Sequence, residues 1–232
     1  MKAILECKAL EKRYGHVQAL ENVDLTVEPG RVVGLLGPNG SGKTTLLKLA
    51  NGLLTPTSGE ILIGGEKPGT NSRSIVSYLP DKQYLPEWMN VRQLMDFFAD
   101  FYADFDRDRA TEMLTRLGID ESRTVKQMSK GTREKVQLIM VMSRQAGLYL
   151  LDEPIGGVDP ATRDYILDTI IRNYNPSAAV IISTHLIADV EQVLDDVIFI
   201  NAGRVTIQSS VDAIREEHGM SVDAYFREVF KC

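Results

Sequence analysis

Cysteine is nearly absent. Cys7 and Cys232 are the only two in 232 residues, and they stand at opposite ends of the chain with no metal-ligand spacing. That excludes a disulfide framework, and both read as free thiols of a reducing compartment. Long apolar runs are lacking too: none approaches the roughly 20 residues of a spanning helix, and the short run 178–182 suits a buried strand. The first residues, Met1-Lys2-Ala3-Ile4-Leu5-Glu6, meet a charge before a signal-peptide core could form. Any service to a membrane is therefore expected to pass through a partner. Positive charge is not in excess either. The net charge of −6 argues against a broad nucleic-acid-binding surface, which needs clustered Lys and Arg, but leaves room for one local phosphate site. Internal repeats and low-complexity stretches are missing. What remains, 44% hydrophobic and 25% charged residues, is the balance of a globular domain with a sizeable core.

Periodicity organises the chain. Residues 23–27 alternate apolar and polar, as a half-exposed strand does. Glu28-Pro29-Gly30 turns the chain into a strand over 31–36. A glycine-rich turn leads into a helix from Lys43 to about Asn51, which Gly52 ends. Residues 59–63 and 75–79 read as further strands. The middle third changes character: Val91, Leu94, Met95, Phe97, Phe98 and Phe101 fall at helical spacing over 91–103. Met113, Leu114 and Leu117 mark a second helix closed by Gly118, and 130–145 a third. After Gly147, strands at 148–151, 179–183 and 197–200 alternate with helices at 162–172 and 186–193. Such alternation predicts an α/β fold with a mainly parallel sheet covered by helices. Residues 211–232 read as two short amphipathic helices. The expected organisation is a single domain, 1–232. In it, 1–80 and 147–232 form the core and 81–146 a helical insert.

Gly37-Pro38-Asn39-Gly40-Ser41-Gly42-Lys43-Thr44 fits the phosphate-loop pattern of a glycine, four residues and Gly-Lys-Thr. Glycines let the backbone curl so that several N–H groups face one anion, and the following helix offers its positive end. Lys43 supplies a charge for the β- and γ-phosphates, and Thr44 a hydroxyl for Mg²⁺. Farther on, Leu148-Tyr149-Leu150-Leu151-Asp152-Glu153 is an apolar strand tipped with two carboxylates. Paired acids at the end of a buried strand are costly unless a cation sits there. Asp152 would hold the metal, directly or through water. Glu153 would face the attacking water as general base or as its positioner.

The stretch between these motifs, Met128-Ser129-Lys130-Gly131-Thr132, resembles the signature of ATP-binding-cassette proteins, Leu-Ser-Gly-Gly-Gln, at Ser129 and Gly131; Lys130 replaces the first glycine. Ser129 also reads as a helix N-cap. Further elements follow in the family's order. Tyr14 lies where an aromatic residue stacks on adenine, with core packing as its alternative. Ile155-Gly156-Gly157-Val158-Asp159 is similar to the loop after the acidic pair. Ser183-Thr184-His185 resembles the segment carrying the switch histidine that touches the γ-phosphate. The resemblance spans the whole chain. It implies a P-loop NTPase (RecA-like) core, an N-terminal antiparallel β portion and an α-helical insert. It also implies ATP and Mg²⁺ as ligands. Catalytic roles then fall to Glu153 and His185, nucleotide contacts to Tyr14, residues 37–44, Thr45, Ser129, Gly131 and Asp159, and metal contacts to Thr44, Asp81 and Asp152.

One departure stands out. After the strand 75–79 and Pro80, the family's glutamine is replaced by Asp81, which either reaches the metal through a bridging water or only starts a turn. An acidic residue here, and the ending Ser221-Val222-Asp223-Ala224-Tyr225-Phe226, resemble the bacterial multidrug, antibiotic and sodium-export branch. One phosphate loop and one signature per chain imply a head-to-tail homodimer on ATP binding, or a pair with a related ATPase subunit. The resemblance further implies a separate transmembrane permease subunit and a cytoplasmic place on the inner face of the cell membrane. The alternative is a soluble ATPase of the same superfamily without a membrane partner, for example of the iron–sulfur assembly type. Pro80, Pro86 and Trp88 form an odd cluster for a solvent loop: either a socket for a partner helix or, through Trp88, a cap on the insert's core.

Overall fold

The structure, a computed structural model, describes residues 2–230. Among them the chain runs β1 (Leu5–Tyr14), β2 (Val17–Val27), β3 (Val32–Leu36), α1 (Lys43–Ala50), β4 (Ser58–Ile63), α2 (Thr70–Ile75) and β5 (Val76–Leu79). Then come α3 (Val91–Phe101), α4 (Arg107–Arg116), α5 (Lys130–Met142), β6 (Leu148–Asp152), α6 (Pro160–Asn173) and β7 (Ala179–Thr184). The last elements are α7 (Ile187–Val190), β8 (Asp196–Asn201), β9 (Arg204–Ser210), α8 (Val211–His218) and α9 (Val222–Val229).

Two sheets form. A three-stranded antiparallel sheet has the order β2-β1-β4, and a six-stranded sheet the order β5-β6-β7-β3-β8-β9. In the larger sheet β5, β6, β7, β3 and β8 are parallel, and β9 returns antiparallel along β8. Successive side chains of a strand point to opposite faces, so the buried parallel strands feed two cores. Leu36, Tyr149, Leu151, Val180 and Ile182 join one cluster with the helical residues Leu94, Met95, Leu114, Ile139 and Ile166. Their neighbours Leu35, Leu148, Leu150 and Ile181 join another with Leu46, Leu47 and Leu49 of α1 and with Leu5, Leu20 and Val23 of the small sheet. Each fully buried Leu or Ile here contributes about 1.5–3 kcal/mol. The parallel strands therefore read as continuous apolar runs, as strands covered on both faces must.

The mainly parallel α/β sheet and the antiparallel N-terminal portion are as expected, and several elements differ in detail. The strand read over 23–27 is the end of an eleven-residue strand, β2, and its partner β1 escaped notice. In β1 the alternation breaks: Leu5 and Cys7 point inward, then a register shift before Leu10 accompanies Ala9 at φ +44°. β9 contains no fully buried residue, and α2 buries only Ser72, so neither carries an apolar signal. Ile75 ends α2 rather than starting β5. The helix read over 130–145 stops at Met142, because Arg144 turns away to bind Asp104 and the carbonyls of Ser74 and Val76. The helix read over 186–193 is one turn, α7, followed by a 3₁₀ turn over Glu191–Val193. Cys7 is buried and free, its thiol pushed up by burial and by the nearby carboxylates of Asp24 and Glu6; Cys232 lies outside the described residues. Among those residues no helix is long and apolar enough to cross a membrane.

Candidate functional site

The strand register determines what meets what. Leu36 of β3 pairs with Thr184 of β7, Asp152 of β6 with Ser183, and Leu79 of β5 with Leu151. Gly37, His185, Glu153 and Pro80 therefore leave the sheet side by side at its carboxyl edge, where open parallel sheets place their ligands. The four motifs read separately along the sequence converge on one edge.

The loop 37–42 wraps tightly. A Cβ on Gly37 would lie 2.2 Å from the Ile200 carbonyl oxygen, and one on Gly42 2.7 Å from that of Ala19. Gly42 also holds φ at +112° as the N-cap of α1, a conformation that only glycine adopts without strain. No side chain caps α1, so the first N–H groups of the helix stay available to an anion. The hydroxyl of Ser41, 3% exposed, has no hydrogen-bond partner among the described residues.

Lys43 is buried and donates from Nζ to the carbonyls of Gly37 (2.8 Å) and Pro38 (3.2 Å). It also lies 3.6 Å from Glu153 Oε1. Burial pushes its ammonium down from the usual lysine range, against the pull of Glu153 and Asp152. Thr44 Oγ1 donates to Asp152 Oδ1 at 3.1 Å, and Ser183 Oγ to the same oxygen at 2.6 Å. Asp152 Oδ2 is buried without a hydrogen-bond partner among the described residues. Burial raises the Asp152 carboxyl above its usual range, the two hydroxyls oppose this, and Asp81 and Glu153 add to it. A cluster of three metal-ligating side chains is not formed among the described residues. The site offers one hydroxyl and one carboxylate with a free oxygen, a donor set that phosphate oxygens and water would complete around Mg²⁺.

Glu153 sits at φ +49°, held by its N–H on the Ser183 carbonyl at 2.9 Å. Its carboxylate faces His185 Nδ1 at 3.1 and 3.2 Å. A cavity of about 40 Å³ beside it is lined by Asp81, Glu134, Gln137, Asp152 and Glu153. Asp81 thus reaches the acidic pair, from an exposed position and, among the described residues, without a hydrogen bond of its own.

The other expected site residues make their hydrogen bonds outside this cluster. Ser129 caps α5, its Oγ accepting from Thr132 N at 3.2 Å, and Gly131 faces open space. Asp159 caps α6 through Thr162 N and Oγ1, and those bonds hold its carboxyl below the usual range. No hydrogen bond joins Ser129, Gly131 or Asp159 to the phosphate loop among the described residues. Thr45 lies in the first turn of α1. Tyr14 is 46% exposed at the tip of the β1–β2 hairpin, which rules out core packing for its ring. The hairpin's second strand touches the loop at Ala19 and Leu20, next to Gly42. Trp88 is 68% exposed and does not cap a core. Glu134 and Gln137, and Ser183 as a partner of Asp152, have no signal in the sequence. Only the register of β6 against β7 and the crossing of α5 bring them to the site.

Residues 20–156 match the ABC transporter family. An uncharacterised ABC transporter ATP-binding protein of Bacillus subtilis, YxlF, is 32% identical over 94% of this chain and 75% of its own length. The daunorubicin resistance ATP-binding protein DrrA3 of Streptomyces coeruleorubidus is also 32% identical, over 94% of this chain and 72% of its own. Among solved structures, the ATP-binding subunit of an ABC transporter superposes with a TM-score of 0.88 at 30% identity, covering 98% of this chain and 100% of the other.

Proposed function

This chain belongs to the ATP-binding proteins of the ABC transporter family, and from that premise we propose that it drives an exporter through a separate transmembrane permease. It is an ATPase, cleaving ATP to ADP and phosphate. The proposal concerns how its residues share that work and what the work is coupled to.

The observation that carries the reading is the convergence of the loop 37–44, Asp152, Glu153, His185 and Asp81 on one sheet edge. Loop N–H groups and Lys43 receive the phosphates, which draw the lysine from the Gly37 and Pro38 carbonyls it now occupies. Thr44 and Asp152, with Asp81 lining the same cavity as Asp152, would hold Mg²⁺. Bound there, the ion would neutralise charge that develops on the phosphates. Glu153 accepts the proton of the attacking water or orients it, and His185, hydrogen-bonded to that carboxylate, bridges toward the γ-phosphate. Tyr14 stacks on adenine.

Ser129, Gly131 and Asp159 make no hydrogen bond to the loop of their own chain among the described residues, which suits a head-to-tail dimer in which they complete the site of a second copy or of a related subunit. The segment 81–146 acts as the insert that passes motion to the permease. Between this segment and the core lies an apolar groove of about 500 Å³, lined by Leu53 and Tyr78 on one side and Tyr84, Phe97, Phe98 and Tyr102 on the other; Trp88, close in sequence, is exposed. Exposed aromatics beside an apolar groove are the composition of a partner site. Exporter rather than importer is favoured by the likeness to a daunorubicin resistance protein. The protein would then work in the cytoplasm, on the inner face of the cell membrane. Co-expression with its permease tests this: Trp88→Ala should lower permease-stimulated hydrolysis by about tenfold, the scale of one interface aromatic, and leave basal hydrolysis unchanged. Equal loss in both rates, or no permease dependence, would contradict it.

A further inference from the structure

Helix α5 buries every residue from Val136 to Met142, and all of these but Gln137 are apolar. A primary amide inside such a helix face is costly unless both of its ends are hydrogen-bonded. Gln137, 5% exposed, satisfies both on the segment that follows β5. Its Nε2 donates to the Pro80 carbonyl at 3.3 Å, and its Oε1 accepts from the Tyr84 N–H at 3.3 Å. The two anchors bracket Asp81, Lys82 and Gln83, all exposed. Among the described residues no other hydrogen bond or ion pair holds residues 80–84. The segment leaves the sheet edge beside Glu153, and Asp81 lines the cavity shared by Glu134, Gln137, Asp152 and Glu153.

We propose that Gln137 is a positioning residue for hydrolysis: its amide clamps residues 80–84 to α5 and so sets where Asp81 stands against Asp152 and Glu153. The inference rests on the reading of Asp81 as part of the metal and water site. The clamp gives that reading a mechanical link. α5 begins at the Ser129 cap, so a shift of the helix in response to contact at its exposed start moves Asp81 with it, through two hydrogen bonds and no covalent path shorter than the loop. The requirement for an amide is chemical. The Pro80 carbonyl needs a donor and the Tyr84 N–H needs an acceptor, and the primary amide of Gln presents both in one uncharged planar group at the end of a flexible stem. Asn is a methylene too short to keep the same reach.

The test uses Gln137→Met, which keeps length and removes both bonds, and Gln137→Glu, which keeps the acceptor alone. In the nucleotide-free protein, amide exchange at Tyr84 should quicken about tenfold in Gln137→Met, the scale of one net hydrogen bond, and stay slow in Gln137→Glu. Amides of α5 should keep their protection in both. At saturating ATP, kcat should fall about tenfold in Gln137→Met with KM for ATP unchanged, and the Mg²⁺ concentration for half-maximal rate should rise. Unchanged exchange at Tyr84 would overturn the clamp itself. Faster exchange with wild-type kcat and Mg²⁺ dependence would overturn the proposal by removing Asp81 from the site. Protection lost throughout α5 would mark Gln137 as a packing residue only.

Discussion

Glu153 adopts a left-handed backbone at φ +49°, a conformation that costs a non-glycine residue about 1–2 kcal/mol, at the point where the chain leaves a buried strand. The strain persists because the N–H is fixed on Ser183 and the carboxylate lies between Lys43 and His185. Next to it, Asp152 is an ionisable group at 1% exposure with one oxygen unpartnered and two carboxylates near enough to disfavour its charge. Such a group is held at the expense of the empty protein's stability, and Mg²⁺ would relieve it. Asp152→Asn removes the charge and keeps an acceptor for Thr44 and Ser183. The nucleotide-free variant should melt higher, by roughly 2–4 °C for each kcal/mol relieved, while hydrolysis falls by about two orders of magnitude or more. Calorimetry and a phosphate-release assay read both effects; a lower Tm with intact turnover would mean that the buried carboxylate is structural. At this scale the motif residues were legible, because Gly37 to Thr44, the pair Asp152-Glu153 and Ser183-Thr184-His185 are contiguous and need only local spacing. Ser183 as a partner of Asp152 was not, since a hydroxyl at the end of an apolar strand acquires that role only from the neighbouring strand's register.

Among the elements, the segment between β5 and α3 matters most to this account. Asp81 is exposed and has no hydrogen bond of its own among the described residues, yet lies in the same cavity as Asp152 and Glu153. Gathering like charges loosens a site until a cation arrives. Asp81→Ala should raise the Mg²⁺ concentration needed for half-maximal hydrolysis by about threefold to tenfold, the scale of one net hydrogen bond, here made through water. Asp81→Gln, which restores a metal-facing oxygen, should retain most activity. Titrating Mg²⁺ at saturating ATP separates the two, and superimposable curves for Asp81→Ala and the parent would leave Asp81 as the start of a turn. Elements were legible in proportion to how regularly they bury apolar side chains. β3, β6 and β7 are buried on both faces and read as apolar runs, and α3 presents one clean apolar stripe, Val91, Leu94, Met95 and Phe98. β1 was hidden by its bulge at Ala9, β9 by its half-exposed edge position, and α2 by its polar sequence. The early end of α5 was hidden because Arg144 takes its partners, Asp104, Ser74 and Val76, from distant stretches.

Considered as a whole, the molecule holds the loop 37–44 and the acids at one edge of the sheet, and Ser129, Gly131 and Asp159 at helix starts that make no hydrogen bond to that loop among the described residues. A chain built this way has two halves of a site facing outward, and the proposed dimer is the arrangement that joins them. Glu153→Gln tests this most directly. Its side chain keeps the size and the hydrogen-bonding capacity toward His185 but loses the base and the charge beside Lys43. With saturating Mg-ATP the variant should bind nucleotide, hydrolyse it roughly 10²–10⁴ times more slowly, and elute from a size-exclusion column, with mass read by light scattering, as a dimer holding ATP that reverts to monomer when ATP is removed. A variant that stays monomeric at saturating Mg-ATP and hydrolyses at the parent rate would contradict both the shared site and the role of Glu153.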